Sequence, residues 1–174
     1  MENNVISRIV KEPDPILRRP AKQVASVSPE LTELIERMIR TMYAARGVGL
    51  AANQIGSDLA VLVASPEGTP GKEIVLVNPV IEQRKGRATL PEGCLSLPGI
   101  SAEVSRAAAV TASGLDAKGN KVMIQAEGLL AKILQHETDH LNGQLFVDRL
   151  NLLKKFKLLQ QYKSIAQTLR QVNL

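Results

Sequence analysis

Residues 129–143 read LLAKILQHETDHLNG, and this stretch contains the pattern on which the rest of the fold depends. Its spacing predicts an α-helix, because side chains three and four residues apart lie on one helical face. The side chains that share this face are Leu129, Ile133, His136, Glu137 and His140. Asn142-Gly143 is a natural helix end. We therefore expect a central helix that presents two imidazoles and a carboxylate together.

His136 to His140 form an HExxH sequence, in which the histidines lie one turn apart and the glutamate lies beside whatever they bind. The chain has only these two histidines. We interpret them as ligands of a divalent metal ion rather than as core or surface residues that fall four apart by chance. Because two imidazoles leave such an ion short of ligands, a third protein donor is required.

Cys94 is the only thiol and the candidate third ligand. It lies in residues 91–98, PEGCLSLP, where glycine and proline favour a sharply shaped segment over a regular strand. A lone cysteine is more often a buried apolar residue than a ligand, but the HExxH sequence reverses that preference. A thiolate with two imidazoles suits iron(II) or zinc, and the spacing does not choose between them.

The flanking sequence predicts helices near both ends and strands between them. Ser28 and Pro29 precede an apolar periodicity over residues 31–42, which predicts a helix that runs to about residue 45. Short β-prone runs lie at residues 59–64, 74–77, 107–112 and 121–125. The predicted fold class is α+β, with mixed or antiparallel sheets packed around the central HExxH helix.

Beyond Arg149, apolar residues at steps of three or four predict an amphipathic C-terminal helix. They are Leu152, Phe156, Leu159, Tyr162, Ile165 and Leu169. Residues 151–174 also contain five bases and no acid, so removing them from the 22 Lys and Arg leaves 17 bases against 17 acids. The net charge of +5 is therefore that of the C-terminal helix. An anionic partner is one explanation, and a solvated face that aids solubility is the other.

Composition excludes several classes of protein. A length of 174 residues with 44% hydrophobic content suits one domain over residues 1–174. The 2% aromatic content argues against a base-stacking surface, so we expect no sequence-specific nucleic-acid binding. One cysteine allows no internal disulfide, and no secretory signal or membrane-spanning run is evident. We expect a cytoplasmic protein without membrane contact.

A third segment, GVGLAANQ at residues 47–54, follows the first predicted helix. Its small residues let backbone approach a ligand or another backbone closely. It is not a phosphate loop, because it lacks both the Lys-Ser/Thr ending and the dinucleotide glycine spacing. In isolation, a tight turn packed under the sheet is the favoured explanation of this segment.

Together the three segments resemble the peptide deformylase family, whose motifs read GxGLAAxQ, EGCLS and QHExDHLxG in that order. Here they are residues 47–54, 92–96 and 135–143, and every fixed position matches. The resemblance extends over roughly residues 5–150, and three motifs in order are far more specific than one. It implies a metal-dependent hydrolase that removes the N-formyl group from the N-terminal formylmethionine of newly synthesised proteins.

The resemblance also implies roles for individual residues. Cys94, His136 and His140 would hold the metal, with Fe²⁺ as the native ion and Zn²⁺ or Ni²⁺ as substitutes in preparations. Glu137 would take a proton from the attacking water and pass it to the departing amine. The oxyanion would be stabilised by the metal, the backbone N–H of Leu95 and the side-chain amide of Gln54.

For the substrate we expect an apolar methionine pocket beside the motifs. The candidate residues are Val48, Leu90, Leu129 and Ile133, with Gly49 hydrogen-bonding the bound peptide. Lys132 lies near that wall and contributes its stem. Ser101 stands where many family members carry a bulky aromatic or basic residue, so contacts beyond methionine should be weaker. The expected partners are formylmethionyl nascent peptides and, through the basic C-terminal helix, the ribosome.

Two smaller roles and two other functions stay open. Arg106 and Glu92 either form a pair that braces the Cys94 segment or are plain surface residues, whereas Asp139 is expected to be structural. An HExxH zinc peptidase that cuts internal peptide bonds is the rival enzyme, and the cysteine ligand argues against it. A structural metal-binding module or inactive homologue would need a fourth ligand, which no further Cys or His supplies. The oligomeric state and a bacterial or organellar origin are not predicted.

Overall fold

A computed structural model describes residues 6–172, with side chains as far as Thr168. The predicted contact of Leu169 therefore lies outside the described side chains. Three helices and seven strands follow one another along this part of the chain. They are α1 Pro29–Ala44, β1 Gly49–Ala51, β2 Val61–Ala64, β3 Ile74–Lys85, β4 Ala88–Cys94, β5 Leu97–Arg106, β6 Ala109–Leu115, β7 Lys121–Glu127, α2 Gly128–Leu141 and α3 Leu152–Val172. Short 3₁₀ turns lie at Pro15–Arg18, Ala52–Ile55 and Phe146–Arg149.

The strands form two sheets. One has five strands in the order β1-β2-β3-β6-β7, and the other is the β4-β5 hairpin. All pairings between these seven strands are antiparallel, and one isolated parallel bridge joins Lys22 to Leu59. The α+β prediction is confirmed, with antiparallel rather than mixed sheets.

The first predicted helix is α1, and it begins and ends within about one residue of the expected positions. Ser28 caps it by accepting a hydrogen bond from the amide of Leu31 at 3.3 Å, and Pro29 is its first residue. Its buried apolar face packs with β1 and β2 in one hydrophobic cluster. This packing fixes the segment that follows the helix, residues 47–54, beside the sheet.

The HExxH helix is α2, and it lies at the centre of the fold as predicted. Ala131, Ile133 and Leu134 pack into a core cluster with strands β1, β2, β3, β6 and β7. The helix ends where Gly143 adopts a positive φ of 71° and its amide donates to the carbonyl of His140 at 3.0 Å. The predicted stop at Asn142-Gly143 is confirmed.

The C-terminal helix is also confirmed, but its predicted apolar face is wrong over the first two turns. Leu152 is 84% exposed and Phe156 is 62% exposed. The core cluster that α3 joins contains Leu158, Leu159, Tyr162 and Ile165. The helix therefore meets the body of the protein only from about Leu158 onward.

The strand predictions located four strands and missed three. The missed strands are β1, β4 and β5, because their segments are rich in glycine, alanine or proline. Residues 91–98 were expected to be irregular, yet they close a hairpin in which only Leu95 and Ser96 form the turn. A register shift at Gly93 and Cys94 supplies the local irregularity. No helix among the described residues has the length and apolar character needed to span a membrane.

Candidate metal centre and active site

The three predicted metal ligands converge on one point. Cys94 ends β4, while His136 and His140 lie one turn apart on α2. One ligand atom from each lies within 4.8 Å of the other two. Cys94 Sγ is 3.2 Å from His140 Nε2, and His140 is fully buried. Residues that are more than 40 positions apart in the chain thus form one cluster.

This cluster fits a divalent transition metal. In a tetrahedral site, bonds of about 2.0–2.3 Å to nitrogen and sulfur place the ligand atoms about 3.3–3.6 Å apart. Cys94 Sγ and His140 Nε2 are 3.2 Å apart, close to this spacing, and every pair of ligand atoms in the cluster lies within 4.8 Å. One soft sulfur and two imidazole nitrogens also match the ligands that zinc and iron(II) accept.

The charge state of Cys94 suits ligation. Burial alone would raise the pKa of the thiol, but the neighbouring His140 and His136 lower it well below its ordinary value of 9.0. Burial would lower the pKa of His136, whereas hydrogen bonds to Cys94 and Glu92 raise it to about 10. The sulfur is therefore a thiolate that is held beside positive charge, and a bound cation would replace that charge.

Glu92 contacts the ring nitrogen of His136 through its carboxylate. Its Oε2 lies 2.8 Å from His136 Nδ1, and Arg106 donates to both carboxylate oxygens at 2.5 and 3.0 Å. Arg106 also donates to Asp139 Oδ2 at 2.8 Å. The predicted Arg106–Glu92 pair is therefore confirmed, and it is buried. The contact with His136 was not predicted, and it orients the imidazole so that Nε2 faces the cluster.

Glu137 lies buried next to the ligand His136 on α2. The side chain is buried, and its Oε2 has no hydrogen-bond partner among the described residues. Burial raises the pKa of its carboxyl group, although His136 and His140 act in the opposite direction. An unsatisfied buried carboxylate oxygen beside a metal cluster suits a general base.

Gly49 lies against Glu137 so closely that no side chain fits. An added Cβ at Gly49 would lie 2.5 Å from Glu137 Oε1 and 2.7 Å from Ile133 Cγ2. The GVGLAANQ segment is therefore part of the site, and the alternative of a mere tight turn is wrong. Its small residues let strand β1 approach the carboxylate.

Gln54 and Leu95 flank the thiol. Gln54 accepts from the amide of Ala51 at 2.8 Å, which orients its side-chain NH₂ toward Cys94 Sγ at 3.6 Å. Leu95 occupies the turn of the β4-β5 hairpin. The ammonium of Lys11 donates to the carbonyl of Leu95 at 2.5 Å, a contact that no sequence motif indicated.

A cavity of about 370 Å³ opens onto these groups. Of the predicted substrate contacts, Val48, Gly49 and Ile133 line it, while Leu90 and Leu129 do not. Several residues that line the cavity were not predicted from the sequence. One precedes the glycine motif, and the others lie at the start of β5. These residues are Arg46, Leu97, Gly99 and Ile100.

Known proteins with the same features are numerous. The family model for polypeptide deformylase matches residues 6–156. The chain belongs to the polypeptide deformylase family. A peptide deformylase of Carboxydothermus hydrogenoformans is 47% identical over 152 residues, which cover 86% of this chain and 97% of that protein. One of Thermodesulfovibrio yellowstonii is 42% identical, with coverage of 91% and 98%.

Solved deformylase structures share the whole fold. A peptide deformylase from Legionella pneumophila matches with a TM-score of 0.91 and 44% identity, covering 95% of this chain and 98% of its own. One from Ehrlichia chaffeensis in complex with actinonin matches with a TM-score of 0.85 and 36% identity, covering 91% and 96%. The chain is thus a deformylase, a metal-dependent hydrolase that removes the N-formyl group from the N-terminal formylmethionine of new proteins.

Proposed function

We propose that Cys94, His136 and His140 hold the metal of this deformylase and that Glu137 carries the protons of the reaction. The observation that carries this assignment is the buried, unpartnered oxygen of Glu137, a residue that lines the same cavity as Cys94 and His136, two of the three clustered ligands. A structural glutamate would instead be satisfied by protein donors.

The reaction follows from the groups around the cavity. When bound, the divalent ion acts as a Lewis acid and activates water for attack. Glu137 takes the proton of the attacking water and delivers it to the departing amine nitrogen, because its raised pKa suits both transfers. The side-chain NH₂ of Gln54 and the backbone N–H of Leu95 donate to the oxyanion that forms on the formyl group.

Substrate binding is proposed to use the remaining wall of the cavity. Val48 and Ile133 would contact the methionine side chain, and the backbone of Gly49 would hydrogen-bond the peptide. We leave Leu90 and Leu129 out of this contact set, because neither lines the cavity. Ser101, which is small and exposed, supports the expectation of weak contacts beyond methionine.

The substrate assignment is tested with formyl-Met-Ala-Ser and, separately, an unformylated peptide. We expect release of formate from the first, no cleavage of internal peptide bonds in the second, and inhibition by actinonin, which the Ehrlichia chaffeensis deformylase binds. Cleavage of the unformylated peptide without deformylation would support the zinc-peptidase alternative instead.

We propose Fe²⁺ as the native ion, with Zn²⁺ or Ni²⁺ as functional substitutes, because a thiolate with two imidazoles accepts all three. Anaerobic purification followed by metal analysis is expected to give about one iron per chain. Cys94→Ala should lose most of this metal, since the thiolate supplies a large part of the affinity. Full occupancy and wild-type activity in that variant would contradict the ligand set.

We also propose a cytoplasmic, single-domain enzyme over residues 1–174 that is recruited to the ribosome through the basic helix, residues 151–174. Lys154, Lys157 and Lys163 are exposed on α3, whereas Lys155 is engaged by Asp148 at 2.7 Å. The three exposed lysines are free to contact the polyanionic RNA of a ribosome.

Replacing these three lysines by glutamine should weaken ribosome binding and reduce its salt dependence. A matched control replaces Lys72, Lys118 and Lys121, which are exposed elsewhere. If both triple variants bound ribosomes as tightly as the wild type, α3 would be a packing element only.

A further inference from the structure

The face of α2 that points away from the metal cluster lines a second cavity. Gln135, Thr138, Asp139 and Asn142 follow one another at steps of three, one and three residues, so they share a face that is turned away from His136 and His140. This cavity measures about 390 Å³, similar to the active-site cavity. The deformylation reaction uses none of its exposed residues.

The second cavity is strongly cationic. Four arginines line it, against one acid, Asp139. That acid already binds Arg106 and Arg149, and Arg106 is further neutralised by Glu92 on its other side. The two other arginines, Arg84 at the end of β3 and Arg87 just beyond it, are exposed and have no ion pair within the described part of the chain.

A buried hydroxyl group in the same wall lacks a partner. Thr138 is only 9% exposed, and its Oγ1 makes no hydrogen bond to any described residue. Because buried polar atoms are almost always hydrogen-bonded to protein, water or a ligand, this hydroxyl is a donor that remains available at the cavity wall. A hydroxyl and two unpaired guanidinium groups are donors, so the ligand they suit is an acceptor-rich anion.

We propose that this cavity binds a phosphate group, with Arg84 and Arg87 as its charge partners and Thr138 as a hydroxyl donor. Guanidinium groups bind tetrahedral phosphate oxygens in a bidentate manner, which an isolated lysine does not. Both inorganic phosphate compounds and the phosphodiesters of an RNA strand offer this chemistry. The site lies beside Arg149, which is three residues before Leu152, the first residue of the basic helix α3.

The test titrates the metal-loaded full-length enzyme with pyrophosphate at constant ionic strength and measures binding by calorimetry. We expect saturable binding below about 10 mM. Replacing both Arg84 and Arg87 by glutamine should weaken it at least tenfold, and Thr138→Val should weaken it severalfold. Lys72→Gln combined with Lys118→Gln removes the same charge elsewhere and should leave the affinity unchanged.

A competition arm distinguishes the two sources of phosphate. Displacement of pyrophosphate by single-stranded RNA, lost in the double arginine variant, assigns the site to an RNA backbone, while no displacement assigns it to a small phosphate compound. Absence of saturable pyrophosphate binding would overturn the proposal. So would binding that the arginine and Thr138 variants leave unchanged, because that pattern would place the anion at the active-site metal.

Discussion

At the scale of single residues, Glu92 connects the metal centre to the rest of the protein. Only 1% of its side chain is exposed, and it binds His136 and Arg106 at once. Desolvation would raise the pKa of its carboxyl group, but the hydrogen bonds from His136 and Arg106 outweigh burial and lower it to about 2. The carboxylate is therefore ionised at neutral pH.

Glu92→Gln should destabilise the protein and weaken metal binding. Removing one partner of a buried ion pair leaves Arg106 undercompensated, which typically costs about 3–5 kcal/mol of unfolding free energy. Loss of the carboxylate behind a ligating histidine typically costs about ten- to a hundredfold in metal affinity. Urea denaturation and competitive metal titration of the variant measure the two effects.

Glu103→Gln is the control for Glu92→Gln, because Glu103 lies exposed on the same hairpin. A change within about 0.5 kcal/mol is expected for it. Equal stability and equal metal affinity of the two variants would show that Glu92 does not support the site.

The three clustered ligand residues could be predicted from the sequence because histidine and cysteine are rare in this chain. Two histidines and one cysteine admit few arrangements, so Cys94, His136 and His140 could be named in advance. The hydrogen bond between Glu92 and His136 could not be predicted, because the two residues are 44 positions apart and glutamates are common. The hydrogen bond from Lys11 to the carbonyl of Leu95 could not be predicted for the same reason, because 84 positions separate the two residues.

At the scale of elements, α2 depends on a glycine at its end. Gly143 has a positive φ of 71°, and an added Cβ would lie 2.6 Å from the carbonyl oxygen of Arg18. Gly143→Ala should therefore lower the free energy of unfolding. The left-handed conformation accounts for roughly 1–2 kcal/mol of this loss, and displacement of the Arg18 backbone adds to it. Chemical denaturation measures the total loss.

Gly68→Ala separates strain from crowding. Gly68 also has a positive φ, of 64°, but an added Cβ there would meet nothing within 4 Å. In this control the free energy of unfolding should fall only by the cost of the left-handed conformation, about 1–2 kcal/mol. An equal loss in both variants would mean that the contact between Gly143 and Arg18 is unimportant.

Helices were predicted better than strands, because a helix is determined by neighbouring residues and a strand by distant partners. Ser28 and Pro29 gave the start of α1, and Gly143 gave the end of α2, from local chemistry alone. The β4-β5 hairpin was missed because Pro91 and Pro98 argue locally against strands. The exposure of Leu152 and Phe156 was not predicted, because the apolar periodicity of α3 does not show at which residue the helix leaves the surface of the core.

At the scale of the whole molecule, Asp148 links the N-terminal segment to the start of the C-terminal helix. It binds Arg18 near the N-terminus at 2.6 Å, the amide of Leu145 at 2.8 Å and Lys155 of α3 at 2.7 Å. Burial would raise the pKa of Asp148, but these donors outweigh it and lower the pKa below the ordinary value of 3.8. The folded state therefore favours the ionised form.

This lowered pKa predicts an acid-dependent loss of stability. A carboxyl group whose pKa is lower in the folded state contributes its full stability above the unfolded-state pKa. The contribution disappears as the pH falls from about 4 through the lower folded-state pKa. The difference in unfolding free energy between wild type and Asp148→Asn should thus stay constant from pH 6 to about 4 and shrink as the pH falls toward about 3. A constant difference across this range would exclude the ionic contribution.

Glu137 is proposed to perform the proton transfers of this deformylase, while other residues hold the metal. Glu137→Gln keeps the size of the side chain and leaves Cys94, His136 and His140 untouched. The decisive measurement is the turnover number on formyl-Met-Ala-Ser per bound metal, made on one preparation together with metal content and melting temperature. We expect near-normal metal content and stability with turnover reduced about a hundred- to ten-thousandfold. Near-normal turnover per bound metal would contradict the claim.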